Sequence, residues 1–400
     1  MSAPSQIPDA LRASVEALPV LPTAVTRLLS ITQQAEVSVG EIARVIETDP
    51  TLMARTLRAA NSPLYSTGRE IKTAQQAAVL LGIEAIVNLA LGVSVASVQD
   101  QLHEQLPIDP KAFGRHSMAV ALASRKLARH AKLPRPGEAF VVGLLHDIGK
   151  LVLLMHHGDD YARLMMRAQQ GEKALDALER ETYALDHAAA GHALCQHWNV
   201  PASMAEAVAT HHAAPGTNTL GDIVRQANTL VKTIQIGFSG NRFITAMPGQ
   251  PADLAAQGWL RALILGLNEE IEQAEEALGR PSGRRSSSWT KKAARPLVQL
   301  QMTDPQTHTV FMSMLLAQGF EPTVLSDSSI FDGPARPVAL VTDASPSDRQ
   351  RQAYEQLNVA ILDYSAFRQE HQIADGAALD VYLLWTWLSG LHATTVPSSF

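Results

Sequence analysis

Cysteine is almost missing from this chain: one residue, Cys195, occurs in 400. A single thiol excludes an internal disulfide framework and any cysteine-rich zinc site, and it fits a reducing cytoplasm. Cys195 reads as a buried free thiol, not a reactive one. No run of 18 uninterrupted apolar residues occurs, and the opening MSAPSQIPDALR lacks the basic and apolar sections of a signal peptide. The expectation is a soluble, cytoplasmic protein with no membrane association. Basic charge is not in excess either. The formal net charge of −6 argues against a general nucleic-acid binder, because that task needs a basic surface to displace counterions.

What is present is ordinary globular composition, 46% apolar and 18% charged, in a length that suits two or three domains with ample core. The first 285 residues carry helical signals almost throughout, and strand signals are absent there. SVGE at 38–41 is a capping box, with Val39, Ile42, Ala43 and Ile46 following at helical spacing. Asp49 before Pro50 marks a second helix start, and Thr73 with Gln76 a third. The stretch IEAIVNLALGVSVASV at 83–98 is apolar enough to require burial. In TDPTLMARTLRAANS, Leu52, Met53, Leu57 and Ala60 form a core stripe, and Asn61 reads as a tie on loop backbone.

From 280 to 296 the composition turns to GRPSGRRSSSWTKKAAR, a solvated linker by its Ser, Gly and basic content. Its cations Arg280, Arg284, Arg285, Lys291, Lys292 and Arg295 could meet an acidic partner or nucleic acid, but the linker reading is favoured. Beyond it the segments alternate. PLVQLQM, PTVLS, RPVALVTD and NVAILDY read as strands, with helices at THTVFMSMLLAQG and PSDRQRQAYEQL between them. This indicates a small α/β domain with a mainly parallel sheet. The order loosely resembles a response-regulator receiver. Asp343 closes a strand where a phosphorylated aspartate would stand, and Asp304 closes the first strand, but the acidic pair and late lysine are not evident. A degenerate, non-phosphorylated interaction domain is the expectation.

Six motifs in order carry a wider resemblance: LPVLPTAVTRLLSI (18–31), IARVIETDPTLMARTLRAANSPLYS (42–66), IKTAQQAAVLLGIEAIVNLAL (71–91), GLLHDIGKLVL (143–153), DHAAAGHALCQHWNVP (186–201) and AVATHH (207–212). Over roughly residues 15–240 the chain resembles the HDOD family of bacterial signalling domains. The resemblance implies a mainly α protein, with a helical N-terminal half packed on a half related to HD-type phosphohydrolases. It also implies a role in signal transduction, in a family regarded as lacking the hydrolytic activity of its HD relatives. The domains expected are an all-α HDOD bundle over 1–280 (halves about 15–105 and 106–280), a linker over 281–295 and a receiver-like α/β domain over 296–400.

HD hydrolases hold one or two divalent metals on histidine nitrogens and carboxylate oxygens. The resemblance places His116, His146 and Asp147 among the first ligands, and His187, His211 and His212 could supply more. The last aspartate of that set corresponds here to Asn228, a neutral and weaker ligand, and Asp222 is a poor substitute. His116, His146, Asp147 and His187 are therefore the candidates for a vestigial site for iron, manganese or zinc; no cofactor is required. The alternative is a hydrogen-bonded polar set joining helices. His192 and His197 read as surface or core-edge residues, Trp198 as an anchor at a helix end, and Lys150 as an exposed helix lysine. Three functions stay open: a non-enzymatic regulator that binds other signalling proteins, which is favoured; a metal-dependent phosphohydrolase acting on a nucleotide or cyclic dinucleotide; and a nucleotide or metal sensor without turnover.

Overall fold

The computed structural model of the chain describes residues 9–101, 109–277 and 297–388, apart from short interruptions of which the longest are 62–69, 245–253 and 325–336. In chain order the helices of the first part are α1 (Asp9–Ala17), α2 (Thr23–Ile31), α3 (Val39–Glu47), α4 (Pro50–Ala60), α5 (Ala74–Leu81) and α6 (Ile83–Gln101). They are followed by α7 (Pro110–His130), α8 (Pro136–Leu145), α9 (Gly149–His157), α10 (Asp159–Gln169), α11 (Leu175–Tyr183), α12 (His187–His197), α13 (Ala202–Thr210) and α14 (Thr219–Thr233). Then come β1 (Phe243–Ile244), α15 (Leu254–Ala277), β2 (Leu297–Gln301), α16 (Pro305–Ala317), β3 (Glu321–Val324), β4 (Ala339–Thr342), α17 (Asp348–Gln356), β5 (Ala360–Asp363), α18 (Tyr364–Glu370) and β6 (Leu379–Asp380). The protein is thus mainly helical, with a small parallel sheet near its C-terminal end.

The helix starts lie where the sequence puts them. Ser38 accepts from the Glu41 N–H at 3.1 Å, Thr73 from that of Gln76 at 3.0 Å, and Asp49 from those of Thr51 and Leu52 while Pro50 opens α4. The inward stripe of α4 is turned slightly from the expected one: Leu52, Thr56, Ala59 and Ala60 are buried, while Met53 and Leu57 are only half-buried. Asn61 ends the helix as a clasp. Its amide donates to the carbonyls of Leu57 (2.9 Å) and Ile71 (2.7 Å), and its oxygen accepts from the Ile71 N–H (2.8 Å).

Two compact units divide the chain. One comprises Met1–Val231, Gln235–Asn241 and Leu267–Gly283, and the other Lys232–Ile234, Arg242–Gly266 and Arg284–Phe400. The expected linker at 281–295 lies outside the described residues, and residues 242–266 group with the C-terminal part. In that part β2, β3, β4 and β5 form one parallel sheet in the order β3-β2-β4-β5. Counted within the sheet this is 2-1-3-4, the order of flavodoxin-like doubly-wound sheets. Val298, Leu300, Leu340 and Val341 are fully buried, as strands covered on both faces require. Phe311, Tyr364, Phe367 and Trp387 pack as an aromatic cluster beside them. Asp343 follows β4, and Asp304 lies outside the described residues. One expectation is corrected: β1, within the first 285 residues, is a two-residue strand pairing antiparallel with β6, a contact too short and too distant in sequence to leave a local signal.

Candidate metal centre

Residues 136–157 are long and apolar enough by composition to span a membrane, but they are largely buried and are broken at 146–148 by a turn between α8 and α9. The break matters chemically. Adjacent residues on a continuous helix diverge by about 100°; in the turn, His146 and Asp147 instead bring Nε2 and Oδ2 to 3.3 Å. From the middle of α7, His116 points Nε2 at the same carboxylate oxygen from 3.8 Å. The other oxygen, Oδ1, lies 3.3 Å from Nε2 of His187, the first residue of α12. His211 and His212, just past the end of α13, complete the group: the His211 ring stands 5.2 Å from that of His146 and 5.5 Å from that of His187, and His212 Nε2 is 2.9 Å from His187 Nε2.

Close approach of α9 and α12 makes this possible. At Gly149 a Cβ would run into the backbone of His187 and Gly191, so only glycine lets the first turn of α9 lie against the start of α12.

Three of the imidazoles are oriented by a hydrogen bond at Nδ1. His146 donates to the Gly143 carbonyl (2.8 Å), His211 to the Val208 carbonyl (2.7 Å), and His187 to Glu179 (2.6 Å). Glu179 is buried, accepts also from the His187 backbone N–H (2.8 Å), and takes a further hydrogen bond from the Tyr161 hydroxyl (2.6 Å). With the proton on Nδ1, Nε2 of His211 presents a lone pair without a hydrogen-bond partner, while Nε2 of His146 faces the Asp147 carboxylate. Metal-ligating histidines are held in this way, their second nitrogen donating to a carbonyl or carboxylate.

Lys150 completes the charge pattern. It is buried, not exposed as a lysine on an amphipathic helix was expected to be, and its ammonium donates to Asp147 Oδ2 at 2.7 Å. Burial would raise the Asp147 carboxyl pKa, but the fields of His146 and Lys150, with the contacts from His146 and His187, override it and hold the group well below the usual carboxylate range. Burial likewise works against a charged His187, yet the field of Glu179 together with the hydrogen bonds to Asp147 and Glu179 raises the imidazole to about 9. His211 goes the other way: burial, then the neighbouring His146 and His187, keep it neutral. Two carboxylates, Asp147 and Glu179, thus face two cations, Lys150 and His187.

The four candidate ligands come together, but in a different grouping. His116, His146 and Asp147 form one set whose donor atoms lie within 4.8 Å of one another, and His187, His211 and His212 form a second, with Asp147 touching both. Asn228 is buried on α14 with Oδ1 lacking a hydrogen-bond partner, and Asp222 is engaged elsewhere, accepting from the Gly216 N–H and from Arg225. Sequence reading missed Glu179, Tyr161 and the inward Lys150; the i, i+3 spacing from Asp147 to Lys150 was the available signal for the last. His192 is half-buried and His197 exposed, as expected, and Trp198 is buried at the end of α12. The oriented rings and the bare Nε2 of His211 fit a divalent transition ion, which when bound would acidify a water and polarise a phosphoryl group. Such an ion would have to displace the His187 proton and compete with Lys150 for Asp147.

The HDOD domain family matches residues 18–214. An uncharacterized protein of Treponema pallidum (strain Nichols) is 23% identical over 206 residues, covering 50% of this chain and 39% of its own. The chain thus spans about two fifths of the length of that curated relative. Among solved structures, an HDOD domain protein from Geobacter sulfurreducens superposes with a TM-score of 0.55 at 21% identity, covering 67% of this chain and 96% of that one. That likeness establishes the fold.

Proposed function

Residues 18–214 form an HDOD domain, a signalling-type module, and from that premise we propose that the protein is a signal-transduction regulator that binds other signalling proteins and performs no hydrolysis. The observation that carries this reading is the charge balance of the buried cluster. Lys150 and His187 neutralise Asp147 and Glu179 from within the protein, where a hydrolase would use a dication. Burial agrees with a structural role: among the described residues His116, His146, Asp147, His187 and His211 are buried and His212 is half-buried. The parallel order of the C-terminal sheet supports a receiver-like domain, and its non-phosphorylated state is part of this proposal. The setting is the cytoplasm, no membrane is involved, and nucleic acid is not a partner of a chain with net charge −6.

The oriented histidines favour a second reading, in which the same cluster retains an iron, manganese or zinc ion and serves as a metal-dependent phosphohydrolase of a nucleotide or cyclic dinucleotide, or as a sensor. Purified chain incubated with cyclic di-GMP and excess manganese separates the readings. No product is expected. Turnover that disappears in Asp147→Ala, together with a stoichiometric bound metal, overturns the regulator. Capture of signalling proteins from cell extract on the immobilised chain identifies the partners.

A further inference from the structure

We propose that His187, His211 and His212, with Oδ1 of Asp147, bind one zinc-class ion in a closed, four-ligand structural site, and that the His116–His146 set takes no ion. This deepens the non-hydrolytic reading of the same cluster and rests on it. A structural zinc has every position filled by protein, whereas a hydrolytic one keeps a position open for water. Three imidazoles and a carboxylate leave none open.

The donors already stand close to tetrahedral spacing. Zinc holds nitrogen at about 2.0–2.1 Å, so the ligand atoms of a four-coordinate ion lie about 3.3 Å from one another. Nε2 of His187 is 2.9 Å from Nε2 of His212 and 3.3 Å from Asp147 Oδ1. The donor nitrogens of His187, His211 and His212 all fall within 4.8 Å of one another. His211 supplies an independent observation: it is buried, its Nδ1 is committed to the Val208 carbonyl, and its Nε2 is left without a hydrogen-bond partner. An ion needs no cavity here, because it replaces the hydrogen between the His187 and His212 nitrogens, and half-buried His212 is its way in. Glu179 on Nδ1 of His187 is the carboxylate partner that orients a zinc-binding imidazole.

Lys150 decides between the two sets. Its ammonium holds Asp147 Oδ2 at 2.7 Å, the same oxygen that His116 and His146 face from 3.8 and 3.3 Å. An ion placed there would meet a cation where it needs an anion. Oδ1 turns to His187 instead, so the carboxylate serves the lysine with one oxygen and the ion with the other. Imidazole-rich donors suit zinc, cobalt, nickel and copper, while manganese and magnesium prefer oxygen. Because the ligands come from the turn between α8 and α9, the start of α12 and the end of α13, one ion ties these three places together.

The test titrates the full chain, stripped of metal by chelator, with zinc, cobalt and manganese chlorides. Zinc and cobalt should each bind at one equivalent and raise the melting temperature, and cobalt should show the intense visible bands of four-coordinate geometry. Manganese should bind more weakly by at least about 100-fold, as a site of this donor type ranks the two. In chain labelled with nitrogen-15 at histidine, zinc should give Nε2 of His187, His211 and His212 the signals of coordinated imidazole and leave His116 uncoordinated. His212→Ala should lose the ion, and the labelled unmodified chain decides the matter if that variant does not fold. The proposal fails if no stoichiometric zinc is taken up, if His212→Ala retains it, if His116 becomes a ligand, or if zinc seats only adventitiously on the neighbouring rings of His156 and His157. None of these results bears on the absence of hydrolysis, which turnover of cyclic di-GMP overturns separately.

Discussion

Lys150 decides how Asp147 survives in the interior. An ionised carboxylate with 1% exposure needs a partner, and the ammonium 2.7 Å away supplies one. Removing one member of a buried pair leaves the other uncompensated, which costs about 3–5 kcal/mol, whereas replacing both with apolar groups is often close to neutral. In metal-free buffer, Asp147→Leu and Lys150→Met should each lower the urea midpoint by that order, and the double variant should recover most of the loss. A double variant as unstable as the sum of the singles would mean that the two act independently. His187 and His211 make a second case, because their shifts are opposite. The folded chain holds the His187 proton up to about 9 against an ordinary 6.5, so the stability it contributes is full below pH 6.5 and is lost as the pH rises through about 9. His211 stays neutral in the fold while the unfolded chain takes up a proton, so its contribution is lost as the pH falls below 6.5. Metal-free stability should peak near pH 6.5, and Glu179→Gln should flatten the alkaline limb. A limb of unchanged slope in that variant would remove Glu179 as the cause.

At the scale of elements, the site depends on how close α9 and α12 come. Gly149 has backbone on both sides, so a methyl there can be accommodated only by separating the helices. Overpacking of this kind costs about 1–3 kcal/mol even where side chains can yield. Gly149→Ala should sit at or above the top of that range and should also disturb the His187–Asp147 contact. Gly40, in α3, has open space where a Cβ would stand, with nothing within 4 Å of it. There alanine should stabilise by about 0.5–1 kcal/mol by relieving the helix of glycine's entropy cost. Chemical denaturation of the two variants checks both signs, and a neutral Gly149→Ala would show that the crossing relaxes freely. Helix starts at Ser38, Asp49 and Thr73 were legible because caps are local chemistry. The break at 146–148 was not, since His146, Asp147 and Ile148 include no Gly or Pro and the run reads as apolar on both sides; the turn lets α8 pack on α7 and α9 on α12.

On the scale of the whole molecule, the composition of 281–295 yields the remaining prediction. Ser, Gly and basic residues supply little apolar surface to bury, so limited proteolysis should cut within this window and give, on a denaturing gel, an N-terminal fragment of about 280 residues by the position of the segment. A full-length chain that resists protease under conditions that cleave unfolded substrate would contradict it. Residues 242–266 belong with the C-terminal part, although their helical composition resembles what precedes them.

The helices outside β1, their caps, the parallel character of the C-terminal sheet and the HDOD resemblance were legible in the sequence alone, because each rests on periodicity, capping chemistry or motifs a few residues long. Tertiary structure alone decided that the candidate ligands fall into two sets joined by Asp147, that Lys150 turns inward, and that Glu179 and Tyr161 stand behind His187. The physical reason is range. A periodic pattern records which face of a helix avoids water, but the partner of a buried charge or amide comes from a helix tens of residues away, and only packing brings the two within 3 Å.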